Sequence, residues 1–464
     1  MSLNNPQTSC VRGRSHGGQT ATSPTTYDLV CVGFGTNGLS VATSFADKST
    51  TANILFFEKK AAFDWQPQHI LPSEHVSSSF LRDLATTQNP RSEHTFVNYL
   101  HATEQLVMFT NNSQITPNRL VMGNYLQWVA KKIEERGWVS YGQEVIKVKP
   151  AKLDAKGRII RWKVESRDAN GVRSEIEAKG VLVAPGSQPI IPTELSDAES
   201  APHIIHSSDC APLLEALSCR NSPLDIAIVG AGQEAAELFE HLHSCSGQHR
   251  TSIFVPNTAL RPAEHLALSL GNFDTVSSVL PPEVRERIQS GKKTEQTSKV
   301  HLRTIENIYQ HQYEQKVLNP DESNHRHRMH FSREVVGAEM VDGKVRLQLR
   351  DTWNGNRTMS DRSFDTVIAA TGYSFVEASR LIAPETQPEI SPPTVNTDYS
   401  LSLRRDVVAP SSGIWLLGSL DSPGLPVDDF TCIAERAERT VQSILRSMQK
   451  AEKAEESYGA QPRL

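Results

Sequence analysis

Short apolar runs punctuate this chain, and most of them end at a glycine. Asp28-Leu-Val-Cys-Val32 is the first. So short and β-branched a run predicts a strand buried on both faces. Gly33-Phe-Gly-Thr-Asn-Gly38 follows, and then Leu39-Ser-Val-Ala-Thr-Ser-Phe45 carries apolar positions at helical spacing. Asn53-Ile-Leu-Phe-Phe57 predicts the next strand, which ends at Glu58. Strand, turn, helix and strand within about thirty residues make a βαβ unit. A second unit stands mid-chain. Asp225-Ile-Ala-Ile-Val229 is its strand, Gly230-Ala-Gly-Gln-Glu-Ala235 its turn, Ala236 to Leu242 its helix and Thr251-Ser-Ile-Phe-Val255 its second strand.

Two more strands run into glycine turns. Gly180-Val-Leu-Val-Ala184 precedes Pro185-Gly186, and Thr366-Val-Ile-Ala-Ala370 precedes Thr371-Gly372. Gly413-Ile-Trp-Leu-Leu417 is a further strand, and an amphipathic helix is expected from about Cys432 to Met448. Residues 1–26 hold no acidic residue and lack the apolar core of a secretory signal, so they read as a disordered leader. Residues 451–464 read as a flexible tail. No repeat at a solenoid period is present.

Composition narrows the class. The 464 residues carry 48 Lys+Arg against 53 Asp+Glu, a net charge of −5, without the basic excess of a nucleic-acid binder. No run of about 18 apolar residues predicts a membrane span. The six cysteines, at 10, 31, 210, 219, 245 and 432, form no CxxC pair. That excludes a zinc finger and a dithiol redox site and points to a reducing, intracellular setting.

The first turn is a GxGxxG in the context that gives the motif meaning, after a strand and opening a helix. Gly33 permits the tight turn, Gly35 admits a pyrophosphate close to the backbone, and Gly38 lets helix and strand pack. The helix N-terminus then offers N–H groups and its dipole to the anion. Glu58 stands where an acid accepts hydrogen bonds from ribose. Gly230-x-Gly232-x-x-Ala235 is a second fingerprint. Two such folds in one chain describe a flavoprotein that also binds a nicotinamide nucleotide, and Thr371-Gly372 suits the place where chain and isoalloxazine meet.

The second site departs from its pattern. Its β-strand ends at Val255-Pro256-Asn257, with neither an acid for an NADH ribose nor an arginine for a 2′-phosphate, although Arg261 is near. Glu234 lies inside the turn, where it either repels a pyrophosphate or stands as a first-turn acid favoured by the helix dipole. The expected architecture is α/β, with a discontinuous FAD domain over 27–222 and 361–450. An NAD(P)H-type domain is inserted over 223–360, with substrate residues where the two meet.

These residues resemble the flavin-dependent N-hydroxylating monooxygenases, the L-ornithine N5- and L-lysine N6-hydroxylase family, and in particular its fungal siderophore enzymes. The resemblance runs from about Tyr27 to Ser447. It rests on Val32-Gly-Phe-Gly35, Phe63-Asp-Trp65, Ser79-Phe-Leu-Arg-Asp-Leu-Ala-Thr86, Asn89-Pro-Arg-Ser92 and Thr95-Phe-Val-Asn-Tyr-Leu100. Pro117-Asn-Arg-Leu120, Val183-Ala-Pro-Gly186, Val229-Gly-Ala-Gly-Gln233, Ala235-Ala-Glu237 and Ala370-Thr-Gly-Tyr373 extend it. The resemblance implies FAD and NADPH as cofactors and O2 as co-substrate. The product is a hydroxylamine made from a side-chain amine, in siderophore or other secondary-metabolite biosynthesis. The chemistry is flavin-borne, so no catalytic side chain and no metal are implied. Cofactor contacts are expected from Gly33, Gly35, Gly38, Glu58, Trp65, Ser77, Gly230, Gly232, Gln233, Arg261, Thr371, Gly372 and Tyr373. Substrate contacts are expected from Arg82, Asn272 and Gln296. The family's assembly implies a homo-tetramer.

Departures cluster around substrate and nicotinamide nucleotide. Arg82 stands where the family usually has a carboxylate-binding lysine, and a planar guanidinium is not equivalent to an ammonium. Ser77 and Gln66 replace a glutamine and a histidine, Glu234 a serine, and Pro256 an arginine. Asn272 matches one of two substrate asparagines only across a gap, and Gln296 stands for the other. Pro423-Gly-Leu-Pro-Val427 replaces a His-Gly-Leu-Ser-Asp pattern. Ornithine is the default substrate of a diverged member. A flavin oxidase or monooxygenase acting on a natural-product intermediate, and a non-catalytic FAD-binding protein, stand as alternatives. The histidine-rich Asn324–His330 stretch reads as a solvated loop running into a strand. The cytosol is the expected location, with Pro462-Arg-Leu464 a loose match to a peroxisomal signal.

Overall fold

A computed structural model describes residues 26–65, 76, 78–112, 115–195, 201–219, 222–245, 248–262, 299–375, 381–382, 395–418 and 430–459. Its strands, in chain order, begin with β1 (Thr26–Val32), β2 (Ile54–Glu58), β3 (Val139–Tyr141), β4 (Gln143–Leu153), β5 (Ile159–Asp168) and β6 (Arg173–Val183). Then come β7 (Ser187–Pro189), β8 (Ile204–His206), β9 (Asp225–Val229), β10 (Arg250–Val255), β11 (Arg261–Pro262), β12 (Lys299–Val300) and β13 (His327–Phe331). The last are β14 (Arg333–Val341), β15 (Lys344–Asp351), β16 (Arg357–Phe364), β17 (Thr366–Ala369), β18 (Tyr373–Phe375) and β19 (Gly413–Leu416).

The first sheet is a parallel β3-β2-β1-β6-β19 array with an antiparallel β4-β5-β6 meander growing from the same β6. The eleven residues of β6 make this branching feasible. Their amino half pairs with β5, and Gly180–Val183 pairs with β19. The central parallel segments Leu29–Val32, Ile54–Phe57 and Gly180–Val183 are apolar because both of their faces are covered. Helix Thr36–Asp47, helix Arg119–Glu134 and the final helix enclose one continuous core that includes Leu39, Phe45, Phe56, Tyr125, Val129 and Val441. The final helix is bound to the first one by Glu438, which accepts from Ser44 Oγ (2.9 Å) and Lys48 Nζ (2.7 Å).

The second sheet, β13-β10-β9-β17-β8, is wholly parallel. Helix Gln233–Ser244 links β9 to β10, and helix Leu302–Leu318 packs beside it, joined by Asn307 Nδ2 donating to Glu240 Oε1 at 2.7 Å. A three-stranded antiparallel β14-β15-β16 unit connects β13 to β17.

Four boundaries drawn from sequence need correction. The edges 223 and 360 cut through this second unit, since its sheet takes β8 from before the first edge and β17 from after the second. Periodicity identifies a strand but not its partner, and both strands pair toward β9. The supposed tail is helical as far as Gly459, because the final helix spans Ile433–Gly459. Thr26, at the end of the supposed leader, opens β1. The remainder of the leader and residues 460–464 lie outside the described residues.

Candidate functional site

The first glycine turn is shaped by steric exclusion. Gly33 has φ +94°, and a Cβ there would sit 2.2 Å from the Ala184 carbonyl oxygen. A Cβ on Gly38 would sit 2.4 Å from the Gly33 oxygen. Both are contacts that no side chain tolerates. Gly35 is different: it is exposed, no atom lies within 4 Å of where its Cβ would stand, and it caps helix Thr36–Asp47 without a side-chain hydrogen bond. The opening N–H groups of that helix have no side-chain cap. In the same first turn, Asn37 Oδ1 is buried without a protein partner among the described residues. An open, uncapped glycine turn suits a pyrophosphate, and the Asn37 oxygen, an acceptor, calls for a hydroxyl or N–H donor rather than for the anion.

Glu58 ends β2 and is buried. Its Oε2 accepts from the Phe34 N–H at 2.8 Å and its Oε1 from the Lys60 N–H at 3.0 Å. The carboxylate thus ties down the turn itself, and only its remaining lone pairs are left for a further donor. Phe34 is then clamped edge-on by Phe56, Phe63 and Tyr141. Trp65 packs edge-on to Phe430, and Gly123 keeps that ring close to helix Arg119–Glu134.

The block from Ser78 to Leu100 is organised by two acids that sequence reading missed. Asp83 is buried, and its oxygens accept from the N–H groups of Ala85 (2.9 Å), Thr86 (2.6 Å) and Phe96 (2.6 Å) and from Thr86 Oγ1 (2.7 Å). Burial raises its pKa, and those donors only partly offset it. Asp47, at the end of the first helix, gathers Asn89 Nδ2 (3.0 Å), Ser92 Oγ (2.8 Å) and His94 Nδ1 (3.2 Å). Burial pushes Asp47 up, but the hydrogen bonds from His94, Ser92 and Asn89 outweigh it and hold the carboxyl below its ordinary value. A dense polar motif such as Asn89-Pro-Arg-Ser92 signals a buried anchor, but nothing local points to an acid some forty residues upstream. Arg82 sits half-buried beside Asp83, with its backbone N–H on the Ser79 oxygen at 2.9 Å.

The second turn repeats the first. Gly230 has φ +155°, and a Cβ there would sit 2.3 Å from the Ala370 oxygen, as Gly33 faces Ala184. Gly232 caps helix Gln233–Ser244 with no side-chain bond. Gln233 was expected at the cofactor, yet its side chain turns inward: Oε1 accepts from the His301 N–H at 2.6 Å and Nε2 donates to Glu237 Oε1. Only its backbone is left to face a ligand. Glu234 accepts from the Tyr373 O–H at 3.3 Å, so this acid is engaged by the Thr371-Gly372-Tyr373 segment.

That segment is the joint of the molecule. β18 pairs antiparallel with β7, which joins the continuation of β17 to the continuation of β6. Thr371 Oγ1 donates to the Ile190 oxygen at 2.5 Å. The Gly372 oxygen, at φ +82°, meets the Ile190 N–H (3.0 Å) and His206 Nε2 (3.0 Å). His206 also stands edge-on to the Tyr373 ring at 5.0 Å. Arg261 is exposed on β11, beyond the end of β10. Ser77, Asn272 and Gln296 lie outside the described residues, as do Gln66 and Pro423–Val427.

The histidine-rich stretch runs through a short turn into β13. His327 is buried there against His243, whose ring stacks on His311 at 4.1 Å, and His330 stacks on Phe254 at 4.7 Å. Burial, with His243 and Arg326 adding to it, pushes His327 down to about 3. Among the described residues no His/Cys/Asp/Glu group is arranged to hold a metal, and no described helix is long and apolar enough to cross a membrane.

Two glycine turns on two parallel sheets, linked through a short ribbon, define an oxidoreductase of the two-dinucleotide type. Comparison makes the class specific. Residues 25–375 match the family model of L-lysine 6-monooxygenase/L-ornithine 5-monooxygenase. The L-ornithine N(5)-monooxygenase of Ajellomyces capsulatus is 33% identical over 456 residues, 95% of each chain. The ornithine hydroxylase PvdA of Pseudomonas aeruginosa superposes with a TM-score of 0.79 at 28% identity, covering 91% of this chain and 100% of its own. A Kutzneria sp. 744 ornithine N-hydroxylase, solved with reduced FAD, NADP+ and L-ornithine, gives 0.79 at 25% identity over 91% of this chain and 99% of its own. The chain belongs to the L-lysine 6-monooxygenase/L-ornithine 5-monooxygenase family and is an N-hydroxylating flavin monooxygenase.

Proposed function

We propose that this protein hydroxylates the side-chain amine of ornithine, or of a closely related amino acid, using FAD, NADPH and O2 in siderophore or related biosynthesis. The observation that carries the reading is the Tyr373–Glu234 hydrogen bond, which sets the second nucleotide turn against the joint next to the first. Bound FAD supplies the hydride acceptance and oxygen chemistry that no side chain provides. The chain's own residues hold and orient. Gly35 and the N–H groups behind it take the FAD pyrophosphate, and Glu58 fixes their geometry. Gly232 does the same for NADPH. Thr371 and Gly372 brace the joint through Ile190 and His206. Arg82, carried by the Asp83-organised turn, receives the substrate α-carboxylate on its planar fork. A homo-tetramer, which rests on resemblance, and a cytosolic location, which rests on the scattered cysteines, belong to the same proposal.

Anaerobic stopped-flow absorbance tests it. Mixing the yellow protein with NADPH should bleach the flavin band, and ornithine with O2 should then yield a hydroxylamine. Loss of one carboxylate contact worth about 2 kcal/mol predicts that Arg82→Ala raises the ornithine KM roughly thirtyfold. A flavin that neither NADPH nor NADH bleaches would overturn the proposal, and direct bleaching by an amine would favour an oxidase.

A further inference from the structure

One tryptophan is exposed and yet rigidly held. Trp353 is 79% exposed at the tip of the loop joining β15 to β16. Its indole N–H donates to Ser332 Oγ at 2.8 Å, and its backbone N–H to Asp351 Oδ1 at 2.8 Å. Next to it, Thr352 donates through its N–H to the Ser332 oxygen (3.1 Å) and through Oγ1 to the Pro256 oxygen (3.1 Å). Ser332 is buried in the left-handed region at φ +54°, and its N–H donates to the Asn257 oxygen at 2.9 Å. Arg333 braces the same loop through Asp351 Oδ2 at 2.5 Å. A non-glycine residue keeps such a backbone only where its surroundings over-determine it, and here two other segments converge on it.

Those segments locate the ring. Pro256-Asn257 directly follow β10, and Ser332 directly follows β13, so the loop lies at the carboxyl edge of the second sheet. The glycine turn Gly230–Gly232 leaves the same edge from β9, the neighbour of β10. In a doubly wound sheet a dinucleotide lies across that edge, its pyrophosphate at the turn and its adenosine toward the next strands. At the end of β10, Val255-Pro256-Asn257 carries no acid in the usual ribose-binding position. Beside it stands a fixed aromatic face open to solvent.

We propose that Trp353, positioned by Ser332, is the stacking platform for the adenine of the nicotinamide nucleotide. The proposal rests on the reading that the second turn binds NADP(H). A planar base covers the exposed indole without needing sequence-specific hydrogen bonds, which suits a strand end that carries neither an acid nor an arginine at Val255-Pro256-Asn257.

Calorimetric titration of the FAD-loaded chain with NADP+, with adenosine 2′,5′-bisphosphate and with nicotinamide mononucleotide tests it. Trp353→Ala should weaken the first two by a common factor, roughly tenfold or more, the scale on which a base loses its aromatic partner. Nicotinamide mononucleotide should be unaffected. Trp353→Phe should retain most of the affinity while losing the quenching of tryptophan emission that NADP+ causes in the parent protein. Unchanged FAD content and melting temperature would show that the variants are folded. Parent-level binding of NADP+ and the bisphosphate by Trp353→Ala would overturn the platform and leave the cofactor reading standing. A parent protein that binds neither ligand would overturn the cofactor reading, and the platform with it.

Discussion

Replacing Glu58 by alanine removes two acceptors from beneath the first nucleotide turn. The Phe34 N–H is buried and donates to this carboxylate at 2.8 Å, and the Lys60 N–H donates at 3.0 Å from a more open position. A buried donor that loses a charged acceptor costs about 1.5–3 kcal/mol, and a half-exposed one about 0.5–1.5 kcal/mol. The turn should lose roughly 2–4 kcal/mol in the absence of any ligand. For the domain that carries it, that corresponds to a melting temperature lower by roughly 5 °C. The decisive assay is therefore on protein stripped of FAD. Differential scanning fluorimetry should show the drop, and hydrogen exchange should show the Phe34 amide opening at least roughly thirtyfold more often. Glu58→Gln, which keeps a neutral acceptor, should show about half the effect. An unchanged melting temperature and protected Phe34 amide, together with weakened FAD binding, would refute the reasoning and leave Glu58 as a ribose ligand alone.

Gly230→Ala forces a Cβ to within 2.3 Å of the Ala370 oxygen, so the second turn must shift. NADP+ binding should weaken by about tenfold or more while FAD content is kept, as read by calorimetry and absorbance. Asp47→Ala strands His94, Ser92 and Asn89 and should destabilise the FAD domain by roughly 2–3 kcal/mol in thermal melts. Stability should also fall on acidification. Burial first, then neighbouring positive charge, holds His327 at about 3, and burial holds His330 at about 4, below the ordinary 6.5. Their depressed values contribute stability that is fully present above about pH 6.5 and is lost as pH falls through about 4 for His330 and about 3 for His327. The urea midpoint should follow that slope, and His327→Phe, which cannot take a proton, should flatten it.

Much of the site was legible because its causes are local. A glycine that must adopt positive φ, a strand of apolar β-branched residues and an uncapped helix start are all written within a few consecutive residues. That is why both turns, their flanking strands and the α/β class could be read from Asp28–Glu58 and Asp225–Val255. The family resemblance added the chemistry. Partnership across the chain was not legible. Gln233 read as a ligand from its place in the motif, but the strand and helix beginning at Lys299 and Leu302 draw its amide inward. Asp83 and Asp47 looked like ordinary acids until packing placed four backbone and hydroxyl donors around one and a motif from the next segment around the other.

By itself, then, the sequence determined where the chain must turn, which stretches must be buried and what the two turns can cradle, since steric limits and hydrophobic period act over neighbouring residues. Tertiary structure alone decided which strands share a sheet. It drew Ile204–His206 and Thr366–Ala369 into the second unit and set the Glu58 carboxylate as a clamp on Phe34. It also joined Tyr373 to Glu234 and fixed Trp353 beside Ser332. Each of these contacts spans at least twenty residues of sequence, and a hydrogen bond over that distance exists only once packing has brought its donor and acceptor together.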